Sequence, residues 1–267
     1  MTTATAVHSN AFNFMSYLQG GVDPRTGQYT VAISFPSSTV NNIAGPEVSL
    51  GLVFNPLNTQ DVGWGLGWGL PRSEYDPKRS IVSLGSGETF KVTSVDADGL
   101  CTMDEQKLLS FKLYDDGGER YRIVHKSGNV EEFQVMGSSV ARMALPTRLY
   151  AINGRSVSFF YEDSTFPLML TRIEDALGST VFSVKRTTNA NIEVLLQPFA
   201  GEQGTPLAKF ELTLGTDGVV DAVVLPTVER ASWRLTKTRN TRVFGHPRQG
   251  RWRSTSGQLM PCPLIGK

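Results

Sequence analysis

Between residues 122 and 178 one short pattern occurs three times: an Arg, a branched aliphatic residue, and a Gly five positions further on. Arg122-Ile123 leads to Gly128, Arg148-Leu149 to Gly154 and Arg172-Ile173 to Gly178, so successive glycines stand 26 and 24 residues apart. The second and third copies also share Thr147 with Thr171 and Val157 with Val181. Each copy reads strand, Gly turn, strand, and repetition of such a unit predicts an array of antiparallel hairpins whose aliphatic positions line one common layer. An antiparallel sandwich with coincidental turns is the competing arrangement.

The rest of the body follows the same rule. Tyr29-Thr30-Val31-Ala32-Ile33-Ser34-Phe35 alternates strictly and ends at Pro36, which predicts a half-buried strand. Asp98-Gly99, Asp116-Gly117, Ser127-Gly128, Asn153-Gly154, Leu177-Gly178 and Asp217-Gly218 are turn dipeptides, the Asn and Asp members being suited to positive φ in tight hairpins. Helical periodicity is nearly absent; a single helical turn at 103–109 is shorter than a stable helix. The fold class is therefore all-β with little helix.

Charge divides the chain. Seven of the 26 Lys and Arg residues fall in 236–267, which holds no Asp or Glu, leaving 19 basic and 25 acidic residues and a net charge of −6 in the body. This tail carries Arg239, Arg242, Arg248 and Arg251-Trp252-Arg253, interrupted by Gly and Pro. It is expected to be disordered, either out of frame or a flexible arm, with salt-sensitive attraction to polyanions but no specific nucleic-acid partner. Residues 1–11 are likewise expected to be flexible. The sequence shows no transmembrane run and no secretory signal, so synthesis in the cytoplasm, with any export independent of a signal peptide, is the expectation. Cys101 and Cys262 cannot build a disulfide framework and lack zinc-ligand spacing.

Candidate chemistry is sparse. His8, His125 and His246 have no metal-binding spacing, and His125 falls on a hairpin where a strand residue facing solvent is the plain reading. No nucleophile elbow and no phosphate loop occurs, so no cofactor and no catalytic residue is assigned. Asp96-Ala97-Asp98-Gly99 resembles the opening of a calcium loop but lacks the later ligands, and reads as a hairpin turn. Trp64 and Trp68 alternate with glycines, with Leu66 and Leu70 on the same face; they serve either as core or as a stacking platform for a sugar. Asp115, Asp116, Glu131 and Glu132 are the carboxylates from which a glycoside hydrolase pair would be drawn if they faced one groove.

Several segments resemble the RHS or YD-repeat proteins, specifically the start of their β-shell. Gly20-Gly21-Val22-Asp23-Pro24-Arg25-Thr26-Gly27-Gln28-Tyr29 is similar to the family's opening turn and first strand, and Phe54-Asn55-Pro56-Leu57 with Gly63-Trp64-Gly65-Leu66-Gly67-Trp68-Gly69-Leu70 to the next block. Tyr121-Arg122-Ile123, Gly154-Arg155 and Ile173-Glu174-Asp175-Ala176-Leu177-Gly178 look like degenerate copies of the repeat Tyr-Asp-x-x-Gly-Arg-Leu, none of them complete. The resemblance covers 12–235. It implies a non-enzymatic part of a shell that, in a longer and here truncated parent, encloses a toxic polypeptide; the expected partners are the rest of the shell or that cargo. A carbohydrate-binding sandwich using Trp64 and Trp68, and a hydrolase with paired carboxylates, are the alternatives.

Overall fold

The computed structural model describes residues 17–22, 24, 27–36, 40–41, 44–138, 142–186, 191–200 and 204–224, and the backbone alone of 187–188, 232–238, 241–246, 251–254 and 259–261. The flexible segment expected at 1–11 lies outside the described residues. The chain is all-β, as the turn punctuation predicts, and no helix forms at 103–109.

A first sheet holds β1 (Leu18–Val22), β2 (Tyr29–Ser34), β3 (Gly51–Phe54) and β4 (Trp68–Gly69), in that spatial order. The alternation in β2 behaves as expected: Val31, Ile33 and then Phe35 are buried, whereas Thr30 and Ser34 are exposed.

The second sheet starts with β5 (Glu74–Asp76), β6 (Ile81–Ser83), β7 (Thr89–Val95), β8 (Cys101–Met103), β9 (Phe111–Gly117), β10 (Arg120–His125), β11 (Val130–Met136) and β12 (Met143–Tyr150). Each strand pairs antiparallel with the next, the β8 to β9 step being carried by a bridge between Leu100 and Tyr114. Ala144 of β12 then pairs back to Tyr75 of β5, which closes these eight strands into a ring. Beyond the ring the ladder continues as an open strip: β13 (Ser156–Phe160), β14 (Arg172–Asp175), β15 (Thr180–Thr188), β16 (Asn191–Leu196), β17 (Ala208–Leu214) and β18 (Val220–Val224).

The backbone pairing runs on through β19 (Ser232–Thr238), β20 (Thr241–His246), β21 (Arg251–Ser254) and β22 (Leu259–Pro261). Much of the tail expected at 236–267 lies outside the described residues.

Among the described residues one turn design occurs six times. The glycine amide bonds back to the carbonyl three residues earlier at Gly87 (Leu84), Gly99 (Asp96), Gly128 (His125), Gly154 (Ala151), Gly178 (Asp175) and Gly218 (Gly215), with distances of 2.8–3.1 Å. In every case the residue supplying that carbonyl donates its own amide to the residue after the glycine, at 2.8–3.0 Å. This is a type I turn closed by a glycine bulge, and all six glycines have φ between +74° and +93°. The three repeat glycines thus occupy turns, as predicted. The positive φ expected of the preceding Asn or Asp is not used: Asn153, Asp98 and Asp217 keep ordinary φ, and the glycine alone takes the left-handed conformation. The carboxylates and amides act locally instead, as where Asp175 Oδ1 accepts from Leu177 and Ser179 N–H, and Asp96 Oδ1 from Asp98 and Leu100 N–H. The calcium-like Asp96 segment is therefore a turn.

Register places the repeat aliphatics on one face. Ile123 pairs with Glu131, Glu131 with Leu149, Leu149 with Val157, and Ile173 with Phe159 two residues along. Thr147 is an extra residue between Glu132↔Arg148 and Phe133↔Pro146, and this bulge lets Ala144, Pro146 and Leu149 share the inner face where strict alternation would turn Leu149 outward. The single layer expected for Ile123, Leu149 and Ile173 nevertheless divides into two cores. Ile123 lies inside the closed ring with Val82, Leu113, Phe133 and Ala144, whereas Leu149 and Ile173 face the first sheet. The division is geometric, because closure turns the ring's inner face upon itself and leaves the strip's inner face to be covered by another element.

That cover is the first sheet. Ile33, Leu52, Trp64 and Trp68 pack on Phe182, Ile192, Val194 and Phe210, with Phe35 at 4.8 Å from the Phe210 ring. A strap after β2 anchors it: Asn41, buried and at φ +51°, donates Nδ2 to Ser156 O (3.0 Å) and accepts Ala176 N–H (2.9 Å) on Oδ1. Asn153 Nδ2 adds a bond to Ala44 O at 2.7 Å. Hairpin array and sandwich are thus both present, in consecutive stretches of one ladder. No helix among the described residues is long and apolar enough to cross a membrane.

Candidate functional site

Where the ring meets the strip, the inner face carries a carboxylate. Register sets Glu131 between Ile123 and Leu149, and a half-buried carboxylate on an apolar face needs hydrogen-bond partners. It has two: His125 Nε2 donates to Oε1 at 2.6 Å, and Ser73 Oγ donates to the same oxygen at 3.0 Å. Gly85 N–H in turn donates to Ser73 Oγ at 3.2 Å. His125 reaches Glu131 because the Gly128 turn brings β10 and β11 together, leaving the two residues on one face and two positions out of register.

Beside them, Arg72 donates to Leu168 O at 2.9 Å and lies 5.5 Å from the centroid of the Tyr161 ring. Its Nε is buried without a partner. Tyr161 donates its hydroxyl to Pro146 O at 3.0 Å, and burial pushes the phenol up to about 12, Arg72 opposing and Glu131 and Glu74 adding to the rise. The seam therefore joins the two cores through five polar side chains: Arg72, Ser73, His125, Glu131 and Tyr161.

Its order speaks against nucleophilic catalysis. A serine nucleophile requires its hydroxyl on the imidazole and the imidazole on the acid. Here Glu131 stands between the other two, and the Ser73 proton is directed at a carboxylate. The arrangement satisfies a half-buried carboxylate and leaves no activated oxygen.

A second polar group occupies the ring around Tyr75, Tyr121, Cys101 and Asp115. The two tyrosine rings lie 4.6 Å apart. Burial, reinforced by the Asp115 charge, pushes the Tyr121 phenol to about 12 and the Cys101 thiol to about 11, so Cys101 stays protonated and unreactive near neutrality. Among the described residues no group of three or more His, Cys, Asp or Glu side chains is placed to hold a metal ion.

The carboxylates singled out in the sequence divide between the two faces of the sheet, two on each. Asp115 and Glu131 belong to the inner face, because Tyr121 pairs with Asp115 and Ile123 with Glu131. Asp116 and Glu132 belong to the outer face, where Arg122 bonds Asp116 at 3.0 Å and pairs in register with Glu132. Antiparallel alternation sends neighbouring residues to opposite sides, so adjacent pairs in sequence cannot share a groove.

Trp64 and Trp68 are each 1 % exposed and offer no ring face to a sugar. Their alternation with glycines reads as a strand, yet only Trp68–Gly69 is one. Gly63, Gly65 and Gly67 all have positive φ, and Asp61 Oδ1 accepts the amides of Gly63 and Gly65 at 2.8 and 2.9 Å, folding the segment into a loop. At Gly65 a Cβ would lie 2.8 Å from Leu214 and 3.0 Å from Val220, so the glycine admits the strip's side chains against the Trp64 loop.

His8, Arg239, Arg248 and Cys262 lie outside the described residues, and of His246, Arg242, Arg251, Trp252 and Arg253 only the backbone is described. Sequence reasoning named His125 and Glu131 separately and missed their contact; the hairpin at Gly128 carried that signal. Ser73, Arg72 and Tyr161 had none, because they arrive through ring closure and a long loop. No family model and no curated protein matches this chain.

Proposed function

We propose that this chain is a non-catalytic wall segment of a strand-built shell, of the kind its sequence resembles in RHS proteins. The observation that supports this reading is the antiparallel ladder from β5 to β18, in which strands adjoin in chain order and one turn design recurs. A wall of this construction holds its shape by backbone pairing and turns its apolar face inward. Burial of Trp64 and Trp68 weighs for a scaffold over a sugar-binding module.

A wall segment lengthens by adding strands, so its sheet edges are functional surfaces. Size-exclusion chromatography with light scattering tests this on the whole chain. Concentration-dependent association is expected, weakened by Gly21→Lys on edge strand β1, where a side chain meets nothing within 4 Å. A clean monomer at all concentrations, unchanged by Gly21→Lys and melting in one cooperative step, would show a self-contained domain and overturn the reading.

A further inference from the structure

Asn153-Gly154 is the only Asn-Gly pair in the sequence, and it forms the tip of the β12 to β13 turn. Asn153 is exposed, and nothing lies within 4 Å of a Cβ built on Gly154, so no neighbouring side chain crowds the tip of the turn. The same asparagine donates Nδ2 to Ala44 O at 2.7 Å, a tie that joins the strap to this turn.

We propose that Asn153 is a site of spontaneous deamidation, that the docked strap sets its rate, and that the reaction releases this tie. In the reaction the Gly154 amide nitrogen gives its proton to solvent base and attacks Asn153 Cγ. The new N–C bond closes a succinimide as the Cγ–Nδ2 bond breaks and the nitrogen leaves as ammonia. Water then adds to either ring carbonyl and opens the ring, giving Asp or an isoaspartyl linkage; amide and water become acid and ammonia, with no change of oxidation state.

The folded turn holds every reacting group back. Gly154 N–H is bonded to Ala151 O at 2.9 Å, Asn153 Nδ2 to Ala44 O, and Arg155 N–H to Asn153 Oδ1 at 3.0 Å. Attack requires the first two bonds to open together, so conversion follows strap release. The product has a carboxylate where the donor stood. It can give no hydrogen bond to Ala44 O and repels it, leaving the strap on its Asn41 contacts.

The test is to age the whole chain in mildly alkaline buffer beside the blocked peptide Ala-Ile-Asn-Gly-Arg and follow the one-dalton gain at residue 153 by peptide mass spectrometry. Conversion in the folded chain is expected to be several-fold slower than in the peptide, and faster in Asn41→Ala, which frees the strap at its other anchor. Should Asn41→Ala fail to fold, sub-denaturing urea on the unmodified chain supplies the same acceleration. Asn153→Asp, which mimics one product, is expected to lower Tm by about 2–4 °C, the equivalent of one lost hydrogen bond in a chain of this size. No conversion in the folded chain while the peptide converts, conversion as fast as the peptide, no acceleration on freeing the strap, or an unchanged Tm for Asn153→Asp would each overturn the proposal.

Discussion

The closed ring and the open strip are built from the same ladder with the same turn, yet they obtain their cores differently. The ring, β5 to β12, seals itself through Ala144 and Tyr75 and fills its interior from residues 75–144 alone. The strip, β13 to β18, stays open and borrows the first sheet and the Trp64 loop as its cover, through contacts such as Ala176 to Asn41 and Arg186 to Gly63 that span 135 and 123 residues. Closure makes a core self-sufficient, and an open sheet face makes stability depend on a distant segment. The ring should therefore persist when the strip is damaged.

Core truncation puts the greatest stress on this difference. Trp68→Ala, in the cover, and Phe133→Ala, in the ring, should each cost about 3–5 kcal/mol. Hydrogen exchange should show Trp68→Ala unprotecting β2, β3 and β13 to β18 while β9 to β11 stay protected. Cys101 gives a second reading, since its thiol, raised to about 11, is alkylated only when the ring opens; it should remain unmodified in Trp68→Ala and react in Phe133→Ala. Equal loss of protection everywhere in both variants would mean one cooperative unit and end the comparison.

A smaller effect separates two copies of the repeated turn. At Gly178 an added Cβ meets nothing within 4 Å, so Gly178→Ala should cost only the left-handed backbone penalty of about 1–2 kcal/mol. At Gly99 the same Cβ would lie 2.3 Å from Asp115 O, adding overpacking of about 1–3 kcal/mol. Urea midpoints at unchanged m-value should rank wild type, Gly178→Ala, then Gly99→Ala. Equal midpoints would show that the ring yields at this contact as readily as the strip's turn does.

The sequence made some of this legible and hid the rest for physical reasons. Turn chemistry and alternation are local, so Gly128, Gly154 and Gly178 and the β2 strand are read correctly. The matching turns at Gly87, Gly99 and Gly218 lack the Arg-aliphatic signature and escape the repeat, although two of them carry Asp-Gly. Ring closure rests on the single Ala144↔Tyr75 pairing, which no local pattern announces. Trp64 to Leu70 misleads because glycines at positive φ break the alternation that the letters suggest. For the polar seam, His125 and Glu131 are deducible from the hairpin register, whereas Ser73 reaches Glu131 from 58 residues away.

The least disruptive prediction concerns acid. Asp76 ends β5 next to the closing pair, accepts Lys78 and Arg79 N–H on Oδ1 at 2.9 and 3.1 Å, and bonds Arg79 Nε at 2.5 Å. Burial raises its pKa, but the Arg79 side chain and the two backbone donors outweigh that and hold the folded value below 3.8. A carboxylate depressed on folding contributes stability that is fully present above its unfolded pKa and is lost as pH falls through the folded one. Asp76→Asn should therefore be less stable than wild type from neutrality down to about the unfolded carboxylate value near 4, with the gap closing below it. Urea midpoints across that range, read by hydrogen exchange in the ring, measure the gap. A gap that stays constant down to the acid limit would assign Asp76 a purely geometric role in the turn and remove its charge from the reasons the ring closes.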